Sequence, residues 1–226
     1  MLSSDLNIEV TLNDPGLVEN DSSGMSCLHA CICMAQRGHN MADMYSFNKI
    51  NQILKTDPKL YSWEYAILAD LASNGYEINS YQQFDLNGFI KEPYDYLLSY
   101  FGEEVGKDQI SNSDIDQVVK DARKFSSNHN VNLIKKSPVI SDVVENINRG
   151  NYVLASINQR VLQNETGIVS HLIFIYGYSK RGIRFHNPGY PSTRASEIPW
   201  ALFEKAWDKG LINRREMYCI GVKNDC

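Results

Sequence analysis

The chain predicts an α+β fold. Helix-like patterning fills most of it up to Gly150, antiparallel strand patterning dominates the rest, and no internal repeat or low-complexity tract interrupts either part. A content of 43% hydrophobic and 11% aromatic residues over 226 positions suffices for a packed core. In order, NIEVTL at 7–12 alternates like a short strand, and NDPG with ENDSSGMS makes 13–26 turn-rich. CLHACICMAQ at 27–36 reads as a compact apolar helix, with Ser26 as N-cap and Arg37-Gly38 as its stop. Residues 45–55 and 61–74 carry helical stripes, the second presenting Trp63, Ile67, Leu68 and Leu71 on one face and ending at Gly75. YEINSYQ reads as a strand, 85–128 as mostly helix, 130–134 as a short strand and 141–149 as a helix closed by Gly150. NYVLASI, SHLIFIYGY, GIRFHNP and MYCIGV are strands, with a hairpin turn at 179–182. A short helix at 199–207 has Pro199 near its first turn.

A net charge of −5 and a pI near 5.5 argue against a nucleic-acid face, and the basic pairs Lys180-Arg181 and Arg214-Arg215 are too sparse to make one. The first residues, MLSSDLNIEVTLNDPG, lack the basic and apolar regions of a signal peptide. The longest apolar run, LIFIYGY, is too short to span a bilayer. No membrane association and a cytoplasmic location are therefore expected. The five cysteines (Cys27, Cys31, Cys33, Cys219 and Cys226) are odd in number, and three crowd together, a poor disulfide framework.

Cys27 is the one cysteine expected at a helix start, where oriented backbone N–H groups lower a thiol pKa and can stabilise an oxyanion. The alternative is a buried, inert cysteine. A metal site is disfavoured: Cys27, His29, Cys31 and Cys33 alternate around the helix and cannot converge on one ion, and the chain has no CxxC pair. Of five histidines, His39 and His129 fall in polar turns and read as solvated, and His29 faces away from Cys27. His171 opens the apolar strand, and counting from the hairpin turn brings Asn187 close to it. His186, of opposite parity, projects to the other face. A thiol that attacks, an imidazole that moves the proton and an amide that holds the ring make a nucleophilic triad. The alternative for His171 is a lone core histidine bonded to backbone. The acidic pairs Glu103-Glu104 and Asp114/Asp116 read as solvated helix faces, and the aromatics at 94–101 as packing or a groove lining.

Together these segments resemble the C39-like branch of the papain-like cysteine peptidases. SCLHACICM at 26–34 is similar to that family's DCGPACLAM-like helix start, and SHLIFIYGY at 170–178 followed by Asn187-Pro188 to its GHFVVVYGY and DP. GNYVLASIN at 150–158 and the stretch 186–207 also resemble it. Three positions depart: Leu28 and Ser170 replace glycines, and Asn187 replaces an aspartate. The family's oxyanion glutamine falls at Asp21, with Asn20 beside it as a possible donor. The resemblance to a guanylyl cyclase-like papain group is partial, and no glycine-rich phosphate cradle accompanies it.

The resemblance implies a single papain-like domain over 1–226, its N-terminal helical part packed on a C-terminal antiparallel sheet, with a helical cap inserted around 85–140. It implies a hydrolase of a peptide, amide or isopeptide bond, with Cys27 as nucleophile, His171 as general base and Asn187 as orienter. Asn20 is a candidate oxyanion donor, and no cofactor or metal is required. An acyltransferase or deamidase on the same triad, and a non-catalytic binding protein on the same fold, are the alternatives.

Overall fold

The structure is a computed structural model that describes residues 8–21, 24, 26–41, 44–55, 60–208 and 214–222. The apolar strands pair as expected. β4 (Tyr152–Asn158), β5 (Ser170–Tyr178) and β6 (Gly182–Asn187) form an antiparallel meander, and Ser179 N–H donates to the Gly182 carbonyl at 2.8 Å to close the β5–β6 hairpin. β8 (Met217–Val222) inserts between β4 and β2 (Tyr76–Tyr81), antiparallel to both. β3 (Val131–Ile134) pairs in parallel with β2, β7 (Thr193–Pro199) extends the sheet beyond β6, and the two-residue β1 (Val10–Thr11) pairs with the end of β5. The result is one eight-stranded sheet in the order β3-β2-β8-β4-β5-β6-β7, with β1 beside β5.

Among the described residues, ten helices accompany this sheet, so the fold is mixed, with helices and a mostly antiparallel sheet. Strand parity divides its two faces. One face, with Leu154, Phe174, Tyr218 and Ile220, packs against α1 (Cys27–Gly38), α2 (Phe47–Leu54) and α3 (Tyr65–Ser73). The other, with Val153, Ile173, Ile175 and Cys219, is covered by α8 (Ile140–Asn148) and α10 (Trp200–Asp208). α1 is the central helix: every residue except Cys27 and Arg37 is buried, which explains why its sequence lacks a polar face.

Several expectations need correction. The N-terminal strand is shorter than 7–12, and Asn7 lies outside the described residues. Trp63 precedes α3. It stacks on Phe89 at 5.7 Å and gives its indole N–H to Ser113. The helices do not all precede the sheet, because β2 and β3 come from the first part of the chain and join it. The region 85–140, expected as a helical cap, contributes to the main core. Its helices α4 (Leu86–Lys91), α5 (Pro93–Phe101), α6 (Glu103–Ser111) and α7 (Ile115–Ser127) place Phe89, Leu97, Val118 and Phe125 in the same buried cluster as α1 and α3.

Candidate active site

α1 begins at Cys27 because the loop before it is tied down by its own polar groups. Asn20 Oδ1 accepts from the Ser26 N–H at 2.7 Å and from the Asp21 N–H at 3.1 Å, while its Nδ2 donates to the Gly24 carbonyl at 2.9 Å. The Ser26 hydroxyl, expected to cap the helix, donates instead to Asp21 Oδ2 at 2.7 Å. α1 therefore has no side-chain cap, and the backbone N–H groups of Cys27 and Leu28 lie against the Cys27 sulfur.

Cys27 is half-buried, and its sulfur also meets the backbone N–H of Leu172 on β5. One helical turn on, Cys31 Sγ contacts the Leu172 carbonyl at 3.9 Å. The helix start is thus seated on the residue that follows His171.

His171 is 5% exposed, and its Nε2 lies 2.7 Å from Asn187 Oδ1. An amide oxygen only accepts, so Nε2 carries the proton and the lone pair resides on Nδ1. Asn187 Oδ1 also accepts from the Gly189 N–H at 2.9 Å, which fixes the amide orientation. A second link joins the two halves of the site, because the Asn20 N–H donates to the Pro188 carbonyl at 2.9 Å.

Simple counting from the hairpin turn would separate His171 and Asn187. Near the turn Tyr178 pairs with Ile183 and Gly177 with Arg184, a register that would set Asn187 opposite Phe174, on the other sheet face from His171. A bulge between Ile175 and Gly177 advances the ladder by one residue, so that Phe174 pairs with His186 and Ile175 with Phe185. Asn187 then shares the face of His171 as its diagonal neighbour.

The electrostatics differ from the expectation of a helix-activated thiol. Burial pushes the Cys27 thiol above its ordinary value, although the amides of Leu172, Leu28 and Cys27 pull it down. Burial holds His171 below the usual imidazole value, partly offset by the Asn187 bond. Both shifts favour the uncharged forms, a thiol and a neutral imidazole.

The remaining candidates fall elsewhere. His29 Nε2 contacts Asn51 Oδ1 at 2.8 Å, and Cys33 Sγ contacts the Tyr45 carbonyl at 3.4 Å, so with Cys31 on Leu172 these ligand types diverge. Among the described residues no group of three or more histidine, cysteine or acidic side chains could hold a metal. His39, expected to be solvated, bonds to the Ile220 carbonyl at 2.9 Å and packs edge-on to Tyr152. His186 is fully buried, with Nε2 on Asp14 Oδ1 at 2.7 Å and Nδ1 accepting from the Ala195 N–H, which leaves neither nitrogen for proton transfer. Asn20, the candidate oxyanion donor, gives one Nδ2 proton to the Gly24 carbonyl and shapes the loop before Cys27. Cys226 lies outside the described residues. No helix among the described residues is long and apolar enough to cross a membrane. Sequence reasoning missed Gly189 and the Tyr176 bulge, because neither has a signature outside the hairpin register.

Comparison with protein families, with curated proteins and with solved structures finds no match to this chain.

Proposed function

We propose that the protein is a cysteine-dependent hydrolase of a peptide, amide or isopeptide bond, with a papain-like arrangement of Cys27, His171 and Asn187. The observation that carries this reading is the 2.7 Å bond from His171 Nε2 to Asn187 Oδ1, on the strand that seats the Cys27 thiol. That bond leaves the basic nitrogen of His171 as Nδ1. In the proposed reaction Nδ1 takes the Sγ proton as sulfur bonds to the substrate carbonyl carbon. The Cys27 backbone N–H at the uncapped helix start supports the developing oxyanion. The C–N bond breaks as the imidazolium returns its proton to the leaving amine. Water, deprotonated by His171, then cleaves the thioester to acid and free thiol. No cofactor enters this chemistry. An acyltransferase would differ only in the last step, where an amine replaces water, and a deamidase in releasing ammonia.

The test is alkylation of Cys27 followed by peptide mass spectrometry, in the wild type and in His171→Ala. Because both shifts favour the uncharged forms, the expected result is general-base behaviour. Labelling near pH 7 should be selective for Cys27 and at least about 10-fold slower in His171→Ala. Equal rates in the two proteins would rule the catalytic reading out. A thiol that burial holds above its ordinary value favours one second reading, a binding protein on the same scaffold, and that is the protein such equal rates would describe.

A further inference from the structure

On the α1 face of the sheet, beside Leu172, a cavity of about 160 Å³ opens between the start of α3, the end of α5 and the residues leading into β8. Its lining includes the aromatics Trp63, Tyr65, Phe84 and Tyr100 together with Glu64 and Glu216. The Tyr218 hydroxyl donates to Glu64, and the Ser156 hydroxyl bonds Glu216. Among the described residues neither carboxyl has a cationic partner. Arg214 and Arg215 also line the cavity, but Arg215 is paired with Asp208 and Glu204, and Arg214 lies over the Tyr100 ring at 4.1 Å.

The cavity adjoins the candidate catalytic centre. Ser156 and Ser170 both line it. Ser156 is the cross-strand partner of Leu172, and Ser170 lies two residues along β5 on the same face. Leu172 is where the Cys27 sulfur rests, so Ser156 and Ser170 carry the cavity wall to the stretch of sheet beside the thiol.

We infer that this cavity is a substrate subsite for a cationic side chain, the ammonium of lysine or the guanidinium of arginine, close to the bond presented to Cys27. The inference rests on the hydrolase reading for its place in the reaction, though binding itself does not require it. Three features agree. Among the described residues the two acids have no ion-pair partner, and such a ligand brings one. The aromatic walls suit both the methylene stem and the charged head. The free volume corresponds to about five water-sized atoms, the number in a lysine side chain beyond Cα. Burial raises both carboxyls, and the neighbouring Glu64 adds to the rise of Glu216, to about 7, a shift that a bound cation would oppose.

The experiment uses the full chain carrying Cys27→Ala, which keeps binding separate from chemistry. Nα-acetyl-lysine methylamide and its norleucine counterpart are titrated by isothermal calorimetry. Saturable binding of the lysine probe is expected, with norleucine at least about 10-fold weaker, and Glu216→Gln should erase most of that preference. Equal binding of the two probes, or no saturable binding of the lysine probe, would overturn the inference without any cavity variant being needed. Lysine-selective binding in a protein whose Cys27 labels identically with and without His171 would retain the subsite and remove the hydrolase. The reverse pair of results would retain the hydrolase and remove the subsite.

Discussion

Gly189 lies directly beneath the His171 imidazole: a Cβ at that position would come within 2.7 Å of Cε1 and 2.9 Å of Nε2. The ring can therefore reach Asn187 only because residue 189 has no side chain. Gly189→Ala should displace the imidazole while leaving the fold in place, since its backbone needs no left-handed conformation. Cys27 labelling near pH 7 should fall about 10-fold or more, with an unchanged far-ultraviolet circular dichroism spectrum. Retention of the wild-type labelling rate would mean that ring placement does not govern thiol reactivity.

Alkylation of Cys27 should also report its burial. The folded thiol is raised above its usual value, so direct thiolate reactivity should appear only at alkaline pH and not as a plateau near pH 6. In His171→Ala the rate should climb monotonically through pH 9. In the wild type a second limb, set by imidazole titration below the ordinary histidine value, should precede it. A rate that is flat from pH 5 upward would instead identify a preformed thiolate–imidazolium pair.

Glu216 provides a stability test with a definite sign. Its folded value is raised to about 7 by burial and by Glu64, so the stability of the protonated form is complete below the unfolded carboxyl value and is lost as pH rises through about 7. The other titratable groups of this cluster, Glu64, Tyr65 and Tyr218, are all acids raised by burial. Glu216→Gln should therefore gain about 1–3 kcal/mol over the wild type at pH 8, and that advantage should disappear at pH 5. Urea unfolding at the two pH values measures it, and an equal difference at both would contradict the assignment.

Phe125 tests whether the 85–140 region belongs to the core. Fully buried on α7 and 5.6 Å from the Tyr65 ring on α3, it joins that region to the helical layer. Phe125→Ala should cost about 3–5 kcal/mol in urea unfolding, with one cooperative transition. A separate low-stability transition would restore the picture of an independent cap.

Much of this architecture is legible in the sequence, where burial leaves a period. SHLIFIYGY and NYVLASI are apolar on both faces because helices cover both sides of the sheet. The compact run after Ser26 marks α1 because no residue there needs to meet solvent except Cys27 and Arg37. Thr193–Pro199 escapes notice because it is a largely polar outer strand, formed by pairing with β6 and not by its own pattern. The pairing of His171 with Asn187 is legible in residue type and direction, whereas the bulge that makes it possible lies where β1 passes β5. The Val10 carbonyl would lie 2.7 Å from a Cβ on Gly177, a close approach that only the assembled sheet reveals. Glu64 and Glu216 lie near opposite ends of the chain, and no local signal connects them.

The bond between Asp14 and His186 spans 172 positions, and that between Glu19 and Ser192 spans 173. During synthesis the segment before Cys27 emerges well before its partners, which follow 172 and 173 positions later. Such long loops are slow to close. The thiol therefore meets its imidazole only after the strands that carry His171 and Asn187 have been made, so the site is assembled by the late pairing of β5 with β6 and not by the helix that bears the nucleophile.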